Sequence, residues 1–374
     1  MEKAPMESME RKRWKRAPAL LLFCLSPGIG ELLSSSAPPA EFFHPVMLIL
    51  LGTLYGGGAI ICRELMIRWD KDWASLLVLG AAYGIIEEAL MVKSDFNPNW
   101  QDIGVLGTYA RWGGVNWMWS INLTVYHAIV SIAIPVLLAT LAFPGRSREP
   151  WVAPKWFRLV TVLFVLVVVV GFLAFGDGGT NKTPYRPPVI PYILAVATVC
   201  ALIGLAYILP KGLASPPHYT AEGGCATAPE TATPAVRRRR LLSPLLFATG
   251  FFGILGFFIV GMALPGANVP PFVALPAMLA CVAFTTLALV RLNRRQTFTE
   301  RDLWSLAAGA LGFFILLSPL WEFVLKRPDN TRGMTAVGLL AAVFLLAVRS
   351  RIRQGERHAP PAIPQPENSR SCRP

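Results

Sequence analysis

The chain has 374 residues, of which 54% are hydrophobic and only 15% charged, with 35 Lys and Arg against 22 Asp and Glu. A soluble domain carries nearer a quarter charged residues, about 25%, and here the charge is gathered into short clusters between long apolar runs, so a soluble enzyme is excluded. The formal net charge of +13 sits at alternate ends of those runs rather than along one surface, which orients a membrane protein and argues against a nucleic-acid partner.

Ten apolar runs follow one another, near residues 17–34, 43–67, 73–93, 117–143, 157–175, 189–209, 243–264, 272–290, 303–325 and 334–348. Each is of the order of the ~20 residues that cross a hydrocarbon core of about 30 Å. The expected fold is therefore all-α, a polytopic transmembrane bundle of about ten helices in a cell membrane. Allocating the connecting segments to two sides tests the division. With the N-terminus inside, 28 of the 35 Lys and Arg fall on the cytoplasmic side and seven on the external side. Merging or omitting one helix would invert every later segment and spoil that bias. Both termini are expected to be cytoplasmic.

Residues 1–16 form a basic cytoplasmic tail. Ser35-Ser36-Ala37 after the first apolar run resembles a signal-peptide cleavage site. However, Pro27, Gly28, Gly30 and Glu31 interrupt that run, and a retained first helix is expected. Proline and two glycines there break the helix and free backbone groups to line a cavity, with Glu31 as a candidate for a substrate or proton pathway. In helix 2, Gly56-Gly57-Gly58 permits close packing or a bend. Arg63-Glu64 near its cytoplasmic end reads as a local pair that snorkels to the interface.

Helix 3 carries Glu87 and Glu88 inside the span. Adjacent α-helical residues diverge by about 100°, so one carboxylate is expected to face the bundle and the other a neighbour or the interface. The external segment 94–116, with Phe96, Trp100, Tyr109 and Trp112, is expected to lie on the bilayer and cap what the helices enclose. Helix 4 places Asn116, Ser120, Thr124, His127 and Ser131 at steps of four, four, three and four, one polar face on a 3.6-residue period. His127 lies ten residues from Trp117, about 15 Å along the axis, and Glu87 six residues from Lys93, about 9 Å. The remaining difference is within side-chain reach. Glu87, Glu88 and His127 are therefore the candidate catalytic set, with Glu31, Ser120, Thr124 and Ser131 as a substrate or proton pathway.

Helix 5, with valines throughout residues 165–170 except Leu166, faces lipid. Residues 17–209 make a first membrane domain. Segment 210–242 is a flexible cytoplasmic linker that ends in Arg237–Arg240, and 243–348 is a second membrane domain of four helices. There Gly250, Gly253 and Gly256, and Ser305, Gly309 and Gly312, are spaced for close backbone approach. Ser318-Pro319-Leu320-Trp321-Glu322 echoes the string at Ser26–Glu31 by coincidence rather than ancestry. Residues 349–374, with Pro360, Pro361, Pro364 and Pro366 among polar residues, are expected to be a disordered tail. The six cysteines share no metal-ligand or redox spacing and read as small core residues. No metal and no cofactor is expected.

Intramembrane Glu and His groups fit a transporter or permease, which is the leading reading. Glu87-Glu88 followed by His127 on the next helix also resembles the first two motifs of the CPBP (CAAX protease and bacteriocin-processing) family of intramembrane proteases, over about 50 residues. That resemblance implies a hydrolase in which the paired glutamates activate water and histidine assists. The family pattern has arginine where this chain has Val92 and phenylalanine where it has Leu123, and its later intramembrane histidine has no counterpart, since His218 and His358 lie in soluble segments. A non-catalytic assembly or sensor protein is the third reading. Expected partners are membrane lipids and a small solute or ion.

Overall fold

The computed structural model describes residues 17–101, 103–175, 185–212, 234–295, 297–325 and 329–358. The N-terminal tail, most of the 210–242 linker and the C-terminal tail lie outside the described residues. Among those described, nine helices are long and apolar enough to cross a membrane, and one shorter apolar helix precedes them. In chain order they are α1 (Ala17–Leu33), α2 (Pro45–Arg68), α3 (Trp73–Met91), α4 (Trp117–Ala142), α5 (Pro154–Ala174), α6 (Val189–Ile208), α7 (Leu241–Gly266), α8 (Pro271–Arg294), α9 (Glu300–Phe323) and α10 (Met334–Gly355). The all-α transmembrane bundle expected from the apolar runs is what the chain forms.

The connections sort to two ends. At one, Lys71 donates to the Leu209 carbonyl and Arg68 to that of Val152. At the other, Tyr185 donates to the Phe96 carbonyl and Tyr109 to that of Val269. We call these the turn side and the loop side.

The helices are unequal. In α4, 67% of the apolar window is buried inside the protein, against 11% in each of α5, α6 and α8. The valine run of α5 accordingly faces outward, with Val162, Val165, Leu166, Val169 and Val170 exposed. Helices α1 to α4 form the centre. α5 and α6 flank α2 and α3, and α7 to α10 flank α4. The glycine spacing in α7 and α9 does what its period implies. A Cβ on Gly250 would run into the Leu306 carbonyl, and one on Gly309 into that of Phe247, so these two backbones touch. Of the cysteines, Cys62 is buried as expected, whereas Cys24 and Cys200 are exposed on the bundle's surface.

Local chemistry fixes the helix starts. Asp72 accepts from the Ala74 amide to cap α3. Thr299 and Asp302 close a reciprocal capping box at α9, and Ser243 of α7 donates to Asp302, which ties the two helices at the turn side. Glu322, at the far end of α9, accepts from the Gly333 and Thr335 amides and so caps the next turn.

The 92–116 connection is more deeply built than a segment lying on the bilayer. Lys93, Ser94, Asp95, Phe96 and Asn97 are all buried, and Lys93 donates to the Phe172 and Phe175 carbonyls at the end of α5. This satisfies carbonyls that the helix terminus leaves open, and burial pushes the ammonium pKa down. A two-residue hairpin pairs Arg111–Trp112 with Val115–Asn116. Its Gly113 and Gly114 have φ of 61° and 81°, which the tight turn requires. Trp112 and Trp117 stack at its exposed edge, where interfacial aromatics are placed.

Candidate functional site

Four of the five π-helical segments among the described residues lie in α1 to α4: Gly28–Leu33, Gly52–Gly56, Ile86–Met91 and His127–Ala133. A π-bulge widens the turn and often marks a functional site. Each of the four contributes a polar side chain to one cluster. They are Glu31 from α1, Tyr55 from α2, Glu87 and Glu88 from α3, and His127 and Ser131 from α4.

His127 is the hub. Its Nε2 lies 3.0 Å from Glu88 Oε1, and its Nδ1 lies 3.1 Å from Ser131 Oγ and 3.6 Å from Glu87 Oε2. The expectation that Glu87 and Glu88 diverge to different surroundings is corrected. Both reach the same imidazole. Two features allow it: their segment is π-helical rather than α-helical, and an imidazole presents its two nitrogens on opposite edges. Tyr55 donates to Glu31 Oε1, and the Tyr55 and Tyr83 hydroxyls both face Glu87. The rings of Tyr55, Tyr83 and Tyr126 surround His127 with centroids 5.8, 5.8 and 5.4 Å away. Gly84 lets α4 come close enough, since a Cβ there would sit 3.1 Å from His127 Cβ and 3.2 Å from Thr124 Cα.

The cluster continues toward the loop side. Ser94 donates to Glu88 Oε2 and accepts from Trp119 Nε1 at 3.0 Å. Ser120 donates to Asp95 Oδ2 at 2.8 Å. Asp95 lies outside the spans. Burial, reinforced by the charge of Glu88, pushes its carboxyl up to about 7 against the pull of the Ser120 hydroxyl. On the inner side, Ser26 Oγ donates to the Ser131 and Tyr55 carbonyls at 2.6 and 3.0 Å. The broken end of α1 behaves as its Pro and Gly content implies, for the freed Gly30 carbonyl accepts from Tyr126 Oη at 2.6 Å.

The sequence-derived residues are thus mostly brought together. Glu31, Glu87, Glu88, His127 and Ser131 meet, and Ser120 joins through Asp95. Thr124 contributes its backbone beside Gly84. Asn116, on the same stripe, caps α4 by accepting from the Trp119 amide at 2.9 Å. Tyr55, Tyr83, Ser94 and Asp95 carried no signal in the sequence beyond being polar near the apolar runs. Oxygen and nitrogen atoms of Glu87, Glu88 and His127 lie within 4.8 Å of one another, a spacing that could hold a divalent ion, although no metal was expected from the sequence. Both imidazole nitrogens already face partners, Nε2 Glu88 and Nδ1 Ser131 and Glu87.

A second buried polar group sits at the turn side of α2. The expected snorkelling pair is instead wholly enclosed, with Arg63 and Glu64 1% and 0% exposed. Arg63 Nη1 donates to Glu64 Oε1 at 2.8 Å, its Nη2 to the Ser147 carbonyl at 3.1 Å, and its guanidinium lies 3.7 Å from the Trp151 ring centroid. Glu64 also accepts from the Trp151 amide and from Arg68. The 143–153 turn folds over the pair and shields it from the interface.

A model of an uncharacterized membrane protein family matches residues 20–366. The chain belongs to that family. No curated protein and no solved structure matches the chain, so the site is read from its own geometry, and the resemblance of Glu87-Glu88 and His127 to CPBP proteases gains no support from relatives.

Proposed function

We propose that this multi-pass membrane protein is a proton-coupled transporter in which the cluster around His127 is the proton-binding site. One observation carries the reading. Direct side-chain contacts run from Ser94 at the loop side through Glu88 and His127 to Glu87, and on by way of Tyr55 to Glu31. His127 and Tyr55 are each ten residues, about 15 Å, inside their helices from the loop-side ends. The chain of groups therefore spans roughly half the core. Three carboxylates and one imidazole packed together in low dielectric cannot all be ionised, so the cluster shares protons and can exchange them along that chain. Ionisable groups at this depth are kept at a cost of ~2.5 kcal/mol or more per charge. The orientation that the basic residues favour puts the entry on the external face of a cell membrane.

Hydrolysis is the weaker reading. It needs a scissile bond and a water beside Glu87, Glu88 and His127, whose polar atoms face one another instead. The test is a pH-step measurement on solid-supported membranes holding the reconstituted protein. Wild type should give a transient charge displacement that Glu88→Gln and His127→Ala lose. A wild-type signal no larger than that of protein-free membranes, or one that both variants retain, would overturn the reading.

A further inference from the structure

One cavity lies apart from the carboxylate cluster. It occupies about 850 Å³ between α4, α7, α8 and α9, a volume within the range of small-molecule sites. Its extent along the helices is telling. On α8 it runs from Arg294, at the turn side, to Cys281, and on α4 from Leu137 to Val125. At ~1.5 Å per residue these are about 20 and 18 Å. The groove thus begins at one membrane surface and stops near mid-bilayer, the depth of one leaflet in a core of about 30 Å.

Its chemistry is graded the same way. The deep part is lined by groups such as Phe257, Val282, Ile254 and Ala310, and the mouth by Lys211 and Arg294. No carboxylate lines it among the described residues. Arg294 is exposed. Lys211 also pairs with Asp70, but both partners are exposed, and such a surface pair is weak and exchangeable. Two cations over an apolar slot one leaflet long match a phosphate headgroup with an acyl chain beneath it. A neutral or cationic amphiphile would leave the mouth unmatched.

We infer that this groove is a binding site for one anionic phospholipid of the turn-side leaflet, with its phosphate on Arg294 and Lys211 and an acyl chain running down α8 to the level of Cys281. Tyr126 lines the groove, and its hydroxyl holds the Gly30 carbonyl while its ring faces His127. A bound chain therefore rests against the partition between the groove and the carboxylate cluster. The inference stands on the groove alone and does not need the cluster to carry protons.

Native mass spectrometry tests it, with the purified protein first incubated in detergent micelles containing either phosphatidylglycerol or phosphatidylcholine. Wild type should retain one phosphatidylglycerol through detergent exchange and no comparable phosphatidylcholine. The double variant Lys211→Glu, Arg294→Glu should lower that retention about tenfold through loss of headgroup attraction. Thr286→Trp, which fills the slot from an exposed position, should lower it similarly while melting like wild type. Glu31→Gln, in the cluster, should leave it unchanged. Equal retention of the two lipids by wild type, no retention of either, or full retention by both groove variants would overturn the assignment.

Discussion

Helices α1 to α4 hold two enclosed groups of charged side chains that differ in charge balance, in hydrogen bonding and in backbone. At the turn side, Glu64 faces Arg63 and Arg68, both its oxygens are bonded, and the Trp151 amide adds a further donor. The backbone there is regular α-helix, Gly57–Arg68. Toward the loop side, three carboxylates face one histidine, and the backbone of all four contributing helices is π-bulged. Glu87 Oε2 makes no close hydrogen bond, its nearest partner being His127 Nδ1 at 3.6 Å, and the Tyr83 hydroxyl that faces Glu87 makes none either. Buried charge alone therefore does not mark a functional site. The first group is balanced and saturated, as a structural brace must be. The second has more acids than its one base can neutralise and keeps polar atoms uncommitted, which suits a group that gains and loses protons.

The difference can be broken experimentally, most forcefully at the brace. Arg63→Ala leaves Glu64 enclosed and removes the guanidinium from Trp151 and from the Ser147 carbonyl. Losing one partner of a buried pair costs about 3–5 kcal/mol, so thermal unfolding in detergent should show a large drop. A variant melting within a degree or two of wild type would show that the brace is dispensable, and burial would then no longer separate the two groups.

Asp95 belongs to the unbalanced group yet lies outside the spans. Burial pushes its carboxyl up to about 7 in the folded protein, against the ordinary ~3.9 of an unfolded chain. The folded state therefore favours the protonated acid. The stabilisation is fully present below about pH 4 and is lost as pH rises through 7. At ~1.4 kcal/mol per unit the loss is up to about 4 kcal/mol. Melting temperatures of wild type should fall between pH 4 and 8, and Asp95→Asn should flatten that slope. Parallel curves for the two proteins would mean that Asp95 is not held protonated by its surroundings.

Much of this arrangement was legible in the sequence. The apolar runs foretold the helices, the 3.6-residue stripe of α4 singled out His127 and Ser131, and depth counting from Trp117 and Lys93 put one of Glu87 and Glu88 within reach of His127. Three things were not legible. A π-bulge has no residue signature of its own, so Glu87 and Glu88 were expected to part company. Tyr55 and Tyr83 look like ordinary apolar-span aromatics until Glu31 and Glu87 are seen against their hydroxyls. Arg63-Glu64 near a helix end has the pattern of a snorkelling pair, and only the fold-back of Trp151 encloses it. In each case the missing information is which surface of another helix or turn comes to rest against the residue, and local periodicity does not encode that.

On this reading the His127 cluster shares protons while the Arg63–Glu64 brace does not. Infrared difference spectroscopy between acidic and alkaline pH, read at the protonated-carboxyl stretch of the reconstituted protein, addresses it most directly. Wild type should show a pH-dependent carboxyl band that shrinks in Glu88→Gln and shifts in His127→Ala. A band that is unchanged in both variants would show that the cluster does not share protons.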